Sequence, residues 1–490
     1  MRKLHILIFV FILIFGYSLS FGDDQIKENI VKIYATSNEH SYMTPWQMDG
    51  HYEWEGSGCI INDSLILTNA HVVSDQTFIK VKRTGQTKKY VAKVEFVAHE
   101  CDLAVLEVRD RSFYPDVSPL EVGELPLVGD EVTVYGYPNF AEQLTITKGI
   151  VSRVSHESYV HSSTTLLSCQ IDAPIHGGNS GGPVISNGKI VGIAMMSGWS
   201  DEEGYMVSVP VIRHFLKDIE DGSYDGIPDL AIMTQTMENP SMRAYYGMDD
   251  GQSGILVRKV YPGSPVENIL LPDDVILSID GEAIADDGTI GFRSGERTSY
   301  KYIIQNKHVG DTAIIQVLRD GAVYAIPIEF IVPSIACRLV PSEQYDVEPV
   351  YYIYGGFIFS PLTENLIMEF GNEWWYDAPP NLLYTYLYGE PTEKGEEVVV
   401  IVDVLSDEVN MGYEDLYYEI ISNVNGKRVR NMYDLVDAIK RNKDFFHILE
   451  TATGARIILD RRETDRSTKR ILRQYKIPAD RSENLRKRYR

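Results

Sequence analysis

The stretch His176-Gly177-Gly178-Asn179-Ser180-Gly181-Gly182-Pro183 decides how the rest of this sequence is interpreted. Its glycines predict a tight loop, and an apolar strand, Lys189–Ile193, follows it. Short apolar strands of this kind recur from about Ile26 to Val211, with turn signals about every 8–12 residues. This spacing predicts an all-β barrel or sandwich with the serine loop at one of its edges.

Two further motifs supply groups that can act on the serine hydroxyl. Leu67–Val73 is a strand that runs into His71, and Glu100–Leu106 places Asp102 at the start of an apolar strand. A serine hydroxyl becomes a good nucleophile when an imidazole removes its proton, and a buried carboxylate fixes the tautomer of that imidazole. The chain order His71, Asp102, Ser180 is the order found on the chymotrypsin-like double β-barrel. We therefore predict that these three residues form a catalytic triad for acyl transfer.

The glycines of the serine loop have a mechanical role in this prediction. An oxyanion hole needs backbone N–H groups that face a developing negative charge, in conformations that side chains resist. Gly178 and Ser180 are the expected donors. Asp172 and His176 compete for the roles of acid and base, but Asp172 is better placed to brace the loop. The tight loop leaves His176 little room to reach the serine, which favours a position in the wall of a pocket.

The strand after the serine loop provides a candidate specificity pocket. We expect Ala194 and Met195 to line it together with His176. These side chains would favour small or medium aliphatic residues before the cleaved bond.

Composition narrows the choice of partners and cofactors. The formal net charge of -24 argues against nucleic acid or anionic lipid as the main partner. Four cysteines are too few for a disulfide scaffold in 490 residues, so we expect buried free thiols. Because the cysteines and histidines show no metal-binding spacing, we expect no metal and no cofactor.

Both ends of the chain differ in composition from the middle. Two basic residues, the apolar run Leu4–Phe15 and a small-residue stretch predict a signal peptide over residues 1–22 and an exported protein, periplasmic if the source is bacterial. The run is short for a membrane span of about 20 residues, and an uncleaved anchor is the alternative. A basic segment, residues 466–490, predicts a solvated tail, with a docking tail for an acidic surface as the alternative.

The second half of the chain holds a weak internal repeat. Val275–Gly281 is echoed by Ile420–Gly426, and each copy is an apolar strand closed by an Asx-Gly turn. A helical pattern over Tyr433–Ile439 follows the second copy. Two copies of one small α+β module explain this pattern.

The sequence resembles the Deg/HtrA (protease Do-like) family of serine proteases, and within it the plant-type Deg branch. Besides the three catalytic segments, the matching stretches are Met43–Gln47, Tyr159–Thr164, Met237–Pro240, Ala285–Thr289 and Phe292–Arg297. The resemblance implies a mostly β chain: a chymotrypsin-like double β-barrel protease domain and two α+β PDZ domains. The expected boundaries are 1–22 for the signal peptide, 23–225 for the protease, 226–332 and 333–465 for the PDZ domains, and 466–490 for the tail.

The resemblance also implies partners. Family members assemble as trimers or multiples of trimers and cleave unfolded or damaged polypeptides without ATP or metal. Leu230, Ala231 and Ile232 match the loop that binds C-terminal peptides in the first PDZ domain, with Ala231 where the family usually has glycine. Two alternatives stay open: a chaperone or PDZ scaffold with a conditionally inactive protease domain, and a processing protease for one partner.

Overall fold

Two closed barrels of six antiparallel strands each form the N-terminal part of the computed structural model. The structure describes residues 24–62, 64–114, 118–138, 141–197, 203–331 and 337–487, so the expected signal peptide lies outside the described residues. A short helix, α1 (24–28), precedes the first strand. The mostly β, chymotrypsin-like architecture predicted from the sequence is confirmed.

The first barrel positions two of the three predicted triad residues. Its strands are β1 (Ile30–His40), β2 (Met48–Ile60), β3 (Leu65–Thr68), β4 (Gln76–Arg83), β5 (Tyr90–Ala98) and β6 (Leu103–Glu107). They close in the order β1-β2-β3-β6-β5-β4. Alternate residues of β1, such as Val31 and Ile33, fill the barrel, as the twofold periodicity of a strand requires. His71 follows β3, and Asp102 immediately precedes β6.

The second barrel carries the serine loop. Its strands are β7 (Glu131–Gly136), β8 (Thr145–Ser158), β9 (Thr165–Ile171), β10 (Pro183–Ser186), β11 (Lys189–Ser197) and β12 (Gly204–Ser208). The barrel closes in the order β10-β11-β12-β9-β8-β7, and Ser180 lies between β9 and β10. Helix α2 (Val209–Asp218) follows, and its Ile212 and Phe215 are fully buried. The helix is amphipathic, and its apolar face packs against the barrel.

The first PDZ domain is built on one large antiparallel sheet and a separate two-stranded sheet. Its elements are β13 (Ile232–Thr236), α3 (Pro240–Tyr245), β14 (Ile255–Val260), β15 (Val275–Ile279), β16 (Glu282–Ala283), β17 (Thr289–Arg293), β18 (Glu296–Ser299), α4 (Lys301–Gln305), β19 (Thr312–Arg319) and β20 (Ala322–Glu329). The sheet order is β13-β14-β15-β19-β20, with β16 paired to β15. Strand β13 lies at the edge of this sheet, where an added peptide strand could pair.

The second PDZ domain has two small sheets and more helices. Its elements are β21 (Tyr352–Tyr354), β22 (Phe357–Pro361), α5 (Glu364–Met368), α6 (Trp374–Asp377), α7 (Pro380–Tyr388), β23 (Val399–Val404), β24 (Ile421–Val424), β25 (Lys427–Arg428), α8 (Met432–Arg441), β26 (Phe446–Thr451), β27 (Arg456–Asp460), α9 (Arg461–Gln474) and α10 (Glu483–Lys487). The sheets have the orders β21-β22-β23 and β25-β24-β26-β27. Helix α8 covers the helical pattern predicted at Tyr433–Ile439.

The internal repeat has a shared backbone geometry. Asp280 and Gly281 join β15 to β16 with φ values of 50° and 86°, and Asn425 and Gly426 join β24 to β25 with 53° and 74°. Two consecutive positive φ values define a type I′ hairpin turn, which Asx-Gly pairs favour. The two stretches therefore end in the same kind of hairpin turn.

The basic C-terminal segment is not the solvated tail expected from its charge. Helices α9 and α10 pack on the second PDZ domain, and Leu485 is fully buried. Between them, Ile353 N donates to Asp480 O (2.7 Å) and Ser482 N donates to Tyr351 O (3.1 Å). The expectation was wrong because the few apolar residues of the segment are enough to dock it. Within the described ranges, no helix combines the length and hydropathy that crossing a membrane requires.

The loop between β1 and β2 connects the protease to the second PDZ domain. Tyr42 of this loop is buried in the same hydrophobic cluster as Ile353 and Leu366. Its backbone N–H donates to Glu369 Oε1 (2.5 Å), and the ring of Trp46 meets Tyr351 edge-on at 5.9 Å. The second PDZ domain therefore shares part of its core with the protease domain.

Candidate active site

The loop after β3 and the turn before β6 bring His71 and Asp102 together. His71 Nδ1 lies 2.8 Å from Asp102 Oδ2, and the backbone N–H of His71 donates to Asp102 Oδ1 (3.0 Å). Asn69 Nδ2 donates to the Asp102 carbonyl (2.7 Å). Asp102 is fully buried, and its backbone has the left-handed conformation with a φ of 53°. This arrangement puts the proton of a neutral His71 on Nδ1 and leaves Nε2 free to accept one.

The two groups shift each other's pKa in opposite directions. Burial alone would lower the pKa of His71, but the charge of Asp102 and their hydrogen bond raise it above its ordinary value. Burial alone would raise the pKa of Asp102, but the attraction and hydrogen bond of His71 lower it below its ordinary value. The pair therefore favours an imidazolium beside a carboxylate, which is the charge state that proton removal from a serine creates.

The serine loop begins with a turn that orients a backbone donor. Asn179 N donates to His176 O (2.9 Å) and closes a four-residue turn, in which Gly178 has φ 94°. A positive φ at the third position defines a type II turn; a type I turn would flip the peptide that carries the Gly178 N–H. Among the described residues, the N–H groups of Gly178 and Ser180 meet no hydrogen-bond acceptor. Both are therefore available to an oxyanion.

Ser57 of β2 ties this loop to the first barrel, a role that the sequence analysis missed. Its hydroxyl donates to Gly178 O (2.7 Å) and accepts from Tyr137 N (2.9 Å), while its N–H donates to Ser180 O (2.9 Å). A Cβ on the flanking Gly56 or Gly58 would lie within 3.0 Å of Val72 or Ile66 side-chain carbons. The Gly-Ser-Gly pattern in a strand was the available signal for this close approach.

The hydroxyl of Ser180 is not directed at the base. Ser180 Oγ donates to Met195 O (3.2 Å), and no hydrogen bond between Ser180 and His71 occurs in the described part of the chain. Gly181 N donates to Ala194 O and Ala194 N donates to Gly182 O, each at 2.9 Å, so β11 fixes the loop. To engage His71, the Ser180 hydroxyl has to give up its hydrogen bond to Met195 O.

The expected specificity pocket does not open at the predicted side chains. Ala194 is 0% exposed and Met195 3% exposed, and they fill two different hydrophobic clusters. His176 is exposed beside the serine loop. Their role in specificity stays a prediction. Asp172, the competing acid, accepts from Ile150 N (2.5 Å) and so braces β8 and not the serine loop.

In the predicted peptide-binding loop of the first PDZ domain, one backbone N–H is already hydrogen-bonded within the protein. Leu230 is buried in the domain core, and Ala231 is left-handed with φ 48°. Ala231 N donates to Asp229 Oδ1 (2.6 Å), so a ligand carboxylate would have to displace this side chain. Ala231 and Ile232 line a cavity of about 430 Å³. Peptide binding here stays a prediction.

Glu100, two residues before Asp102, connects the site to the linker of the first PDZ domain. The buried carboxylate accepts from Tyr224 OH and from Ile227 N, both at 2.6 Å. Burial raises its pKa above the ordinary value despite these hydrogen bonds. The sequence analysis treated this glutamate only as part of the Asp102 motif.

Comparison with known proteins agrees with this architecture. Family models match a trypsin-like peptidase domain at residues 56–193 and PDZ domains at residues 228–329 and 340–484. The chain is 37% identical to protease Do-like 2, chloroplastic, of Arabidopsis thaliana, covering 93% of this chain and 75% of that protein. It is also 37% identical to protease Do-like 4, mitochondrial, of the same plant, covering 92% of this chain and 84% of that protein.

A solved structure shows the same fold. The HtrA-type protease AlgW with decapeptide superposes with a TM-score of 0.50 at 23% identity, covering 63% of this chain and 97% of that chain. The family follows from the two relatives, of which the chain covers 75% and 84%, and from the matched peptidase and PDZ domains. The chain belongs to the Deg/HtrA (protease Do-like) family, in its plant-type branch, and is a serine endopeptidase.

Proposed function

We propose that this protein hydrolyses peptide bonds of unfolded or damaged polypeptides through the triad Ser180, His71 and Asp102. The observation that carries the proposal is the His71–Asp102 pair, with Nδ1 2.8 Å from the carboxylate and the pKa of His71 raised. The free N–H groups of the serine loop support it. The reaction consumes water and needs no nucleotide, which suits protein quality control.

The proposed reaction starts with rotation of the Ser180 hydroxyl from Met195 O toward His71. His71 Nε2 takes the hydroxyl proton as Oγ bonds to the substrate carbonyl carbon. The N–H groups of Gly178 and Ser180 bind the oxyanion, and His71 then passes the proton to the leaving amine. A water molecule, deprotonated by His71, attacks the acyl-enzyme and releases the second product. Asp102 keeps the imidazole oriented and stabilises its charged form.

The position of the serine hydroxyl favours a second candidate function. With Ser180 Oγ bonded to Met195 O, the protein can bind unfolded chains without cleaving them until the side chain rotates. This is the behaviour of a chaperone or PDZ scaffold with a conditionally inactive protease domain. Cleavage that begins only after a C-terminal peptide or an unfolded substrate is added would favour it.

The proposal includes partners and location. We propose that the edge strand β13 and the Leu230–Ile232 loop bind C-terminal peptides, and that the protein assembles as trimers or multiples of trimers. AlgW, whose structure contains a decapeptide, supports a peptide ligand. The relatives are named for chloroplasts and mitochondria, which favours an organellar or otherwise exported location over the periplasm.

The test is cleavage of unfolded casein by the wild type and by Ser180→Ala. We expect the substitution to abolish cleavage without changing the thermal unfolding midpoint. Ser186→Ala is the matched control. Ser186 is the last residue of β10, at the end away from Ser180, and its hydroxyl donates to Glu131 O (2.8 Å). Undiminished cleavage by Ser180→Ala would contradict the proposal, and sizing the oligomer in parallel tests the trimer.

A further inference from the structure

The segment that leads into the second PDZ domain lies beside the catalytic pair. The ring of Tyr345 stacks on His161 with 4.0 Å between centroids and 22° between planes, and on His99 at 5.0 Å and 30°. Tyr345 OH donates to the His161 carbonyl (2.9 Å). A tyrosine from beyond the first PDZ domain thus covers two histidines of the protease domain.

Asp346 anchors this segment by paired hydrogen bonds. Its N–H donates to Asp75 Oδ1 (2.7 Å), and the N–H of Asp75 donates to Asp346 Oδ1 (2.8 Å). Both residues have a left-handed backbone conformation, with φ values of 58° for Asp346 and 50° for Asp75. Asp346 Oδ2 also lies 3.0 Å from His99 Nε2. Since Asp75 is four residues from His71, the anchor holds the segment next to the base.

His161 also lies beside His71. The centroids of the two rings are 6.0 Å apart, and the planes are tilted by 56°. His161 Nε2 lies 2.9 Å from His99 Nδ1, whose other ring nitrogen faces the Asp346 carboxylate. A carboxylate only accepts, so His99 Nε2 carries a proton. The orientation of the ring beside His71 is therefore fixed from the second PDZ domain.

The charge state of His161 suits the conversion of the base His71 to a cation. Burial lowers the pKa of His161 to about 3, with the charge of Asp102 opposing this shift and His99 and His71 adding to it. Asp346 also faces His161 and opposes the shift. His161 is therefore neutral at neutral pH and does not repel the imidazolium that forms at His71. Tyr345, stacked on the ring, supplies part of the burial.

We propose that Tyr345 and Asp346 are positioning residues that hold His161 against the base His71, so that the protease site is complete only when the second PDZ domain is docked. This inference rests on the proposed function, because it takes His71 as the base. The docked segment is not a lid, since the His71 side chain keeps 33% of its surface exposed. The His71–Asp102 hydrogen bond is also formed in the docked state.

The test compares Tyr345→Ala and Tyr345→Phe in the full-length protein with a fluorogenic casein substrate. Tyr345→Ala should lower kcat by about 10- to 100-fold with KM nearly unchanged, which is the effect of misplacing a catalytic group. Tyr345→Phe keeps the stacked ring and should retain most of the activity. Tyr384→Ala is the control, because Tyr384 is 67% exposed on α7 of the same domain.

The pH dependence separates positioning from loss of structure. Without Tyr345, His161 is exposed to water, so its pKa rises and it gains charge as the pH falls. The deficit of Tyr345→Ala should therefore be larger at pH 6 than at pH 8. An equal deficit at both pH values, shared by Tyr345→Phe, would mean a structural role only and overturn the inference. Unchanged or raised kcat in Tyr345→Ala would also overturn it.

A second readout needs no turnover. In a Ser180→Ala background, the downfield proton resonance of His71 Nδ1–H reports the hydrogen bond to Asp102. We expect Tyr345→Ala to shift or broaden it, and an unchanged resonance would overturn the inference. A wild type that cleaves no casein, combined with a resonance that responds to Tyr345→Ala, would contradict the proposed function alone.

Discussion

Replacement of Gly178 by alanine tests whether the turn geometry of the serine loop controls activity. Gly178 has φ 94°, and an L-residue with a left-handed backbone costs about 1–2 kcal/mol. A type I turn needs a negative φ at this position, which alanine favours. Gly178→Ala should therefore shift the turn equilibrium toward the flipped peptide by about 5- to 30-fold.

The flipped turn lacks one of the two oxyanion donors, and losing one donor costs about 100–1,000-fold in kcat. We expect kcat of Gly178→Ala to fall severalfold, with the 5- to 30-fold shift of the turn equilibrium as the upper limit, below the complete loss of one donor. The assay is steady-state cleavage of fluorogenic casein, with a fluorophosphonate probe to count reactive serines.

Gly188→Ala is the control for the backbone cost. Gly188 has φ 76° in the hairpin between β10 and β11, and no atom lies within 4 Å of the added Cβ. It should lose a similar amount of stability and keep its activity. A kcat for Gly178→Ala within twofold of that for Gly188→Ala would refute the link between turn type and oxyanion stabilisation.

Three further predictions concern the surroundings of the site. Ser57→Ala should lower the unfolding free energy by about 1–3 kcal/mol, the cost of an unpaired buried N–H, and reduce kcat, whereas Ser186→Ala should do neither; equal effects on kcat would contradict this. Activity should fall as the pH drops through the pKa of His71, which is raised above 6.5. Asp102→Asn should move this acidic limb of the pH–rate profile to lower pH and cut kcat about 10⁴-fold. An acidic limb that does not move would contradict this prediction. Glu100→Ala leaves two buried donors unpaired and should cost about 2–6 kcal/mol in urea unfolding, with Glu100→Gln costing less; equal losses would count against the proposed linker contact.

Local motifs predicted the fold and the pairing of His71 with Asp102, because their geometry depends on neighbours in sequence. The strand before His71, the acid that opens β6 and the glycines around Ser180 each specify a short piece of backbone. The Asp280-Gly281 pair likewise predicted a hairpin that the structure confirms. In all of these, the residue type and its immediate context were sufficient.

The contacts between domains could not be predicted in this way. Tyr345 stacks on His161, although the whole first PDZ domain separates the two residues in sequence. Nothing in the sequence around one residue marks the other as its partner. The basic C-terminal segment was misjudged for a related reason: its charges dominate the composition, but Leu485 and the backbone bonds of Ser482 decide where it lies. Complementary surfaces of distant segments leave no periodic signal in a single sequence.

The β1–β2 loop gives the three domains the connectivity of a ring. The chain runs from the barrels through the first PDZ domain to the second, and Tyr42 and Trp46 join the second back to the first barrel. In a ring, no domain can swing on one hinge, because any large movement must break two joints at once. Removing the last domain would also uncover apolar side chains on the first barrel, so a truncated protease would lose solubility along with a module.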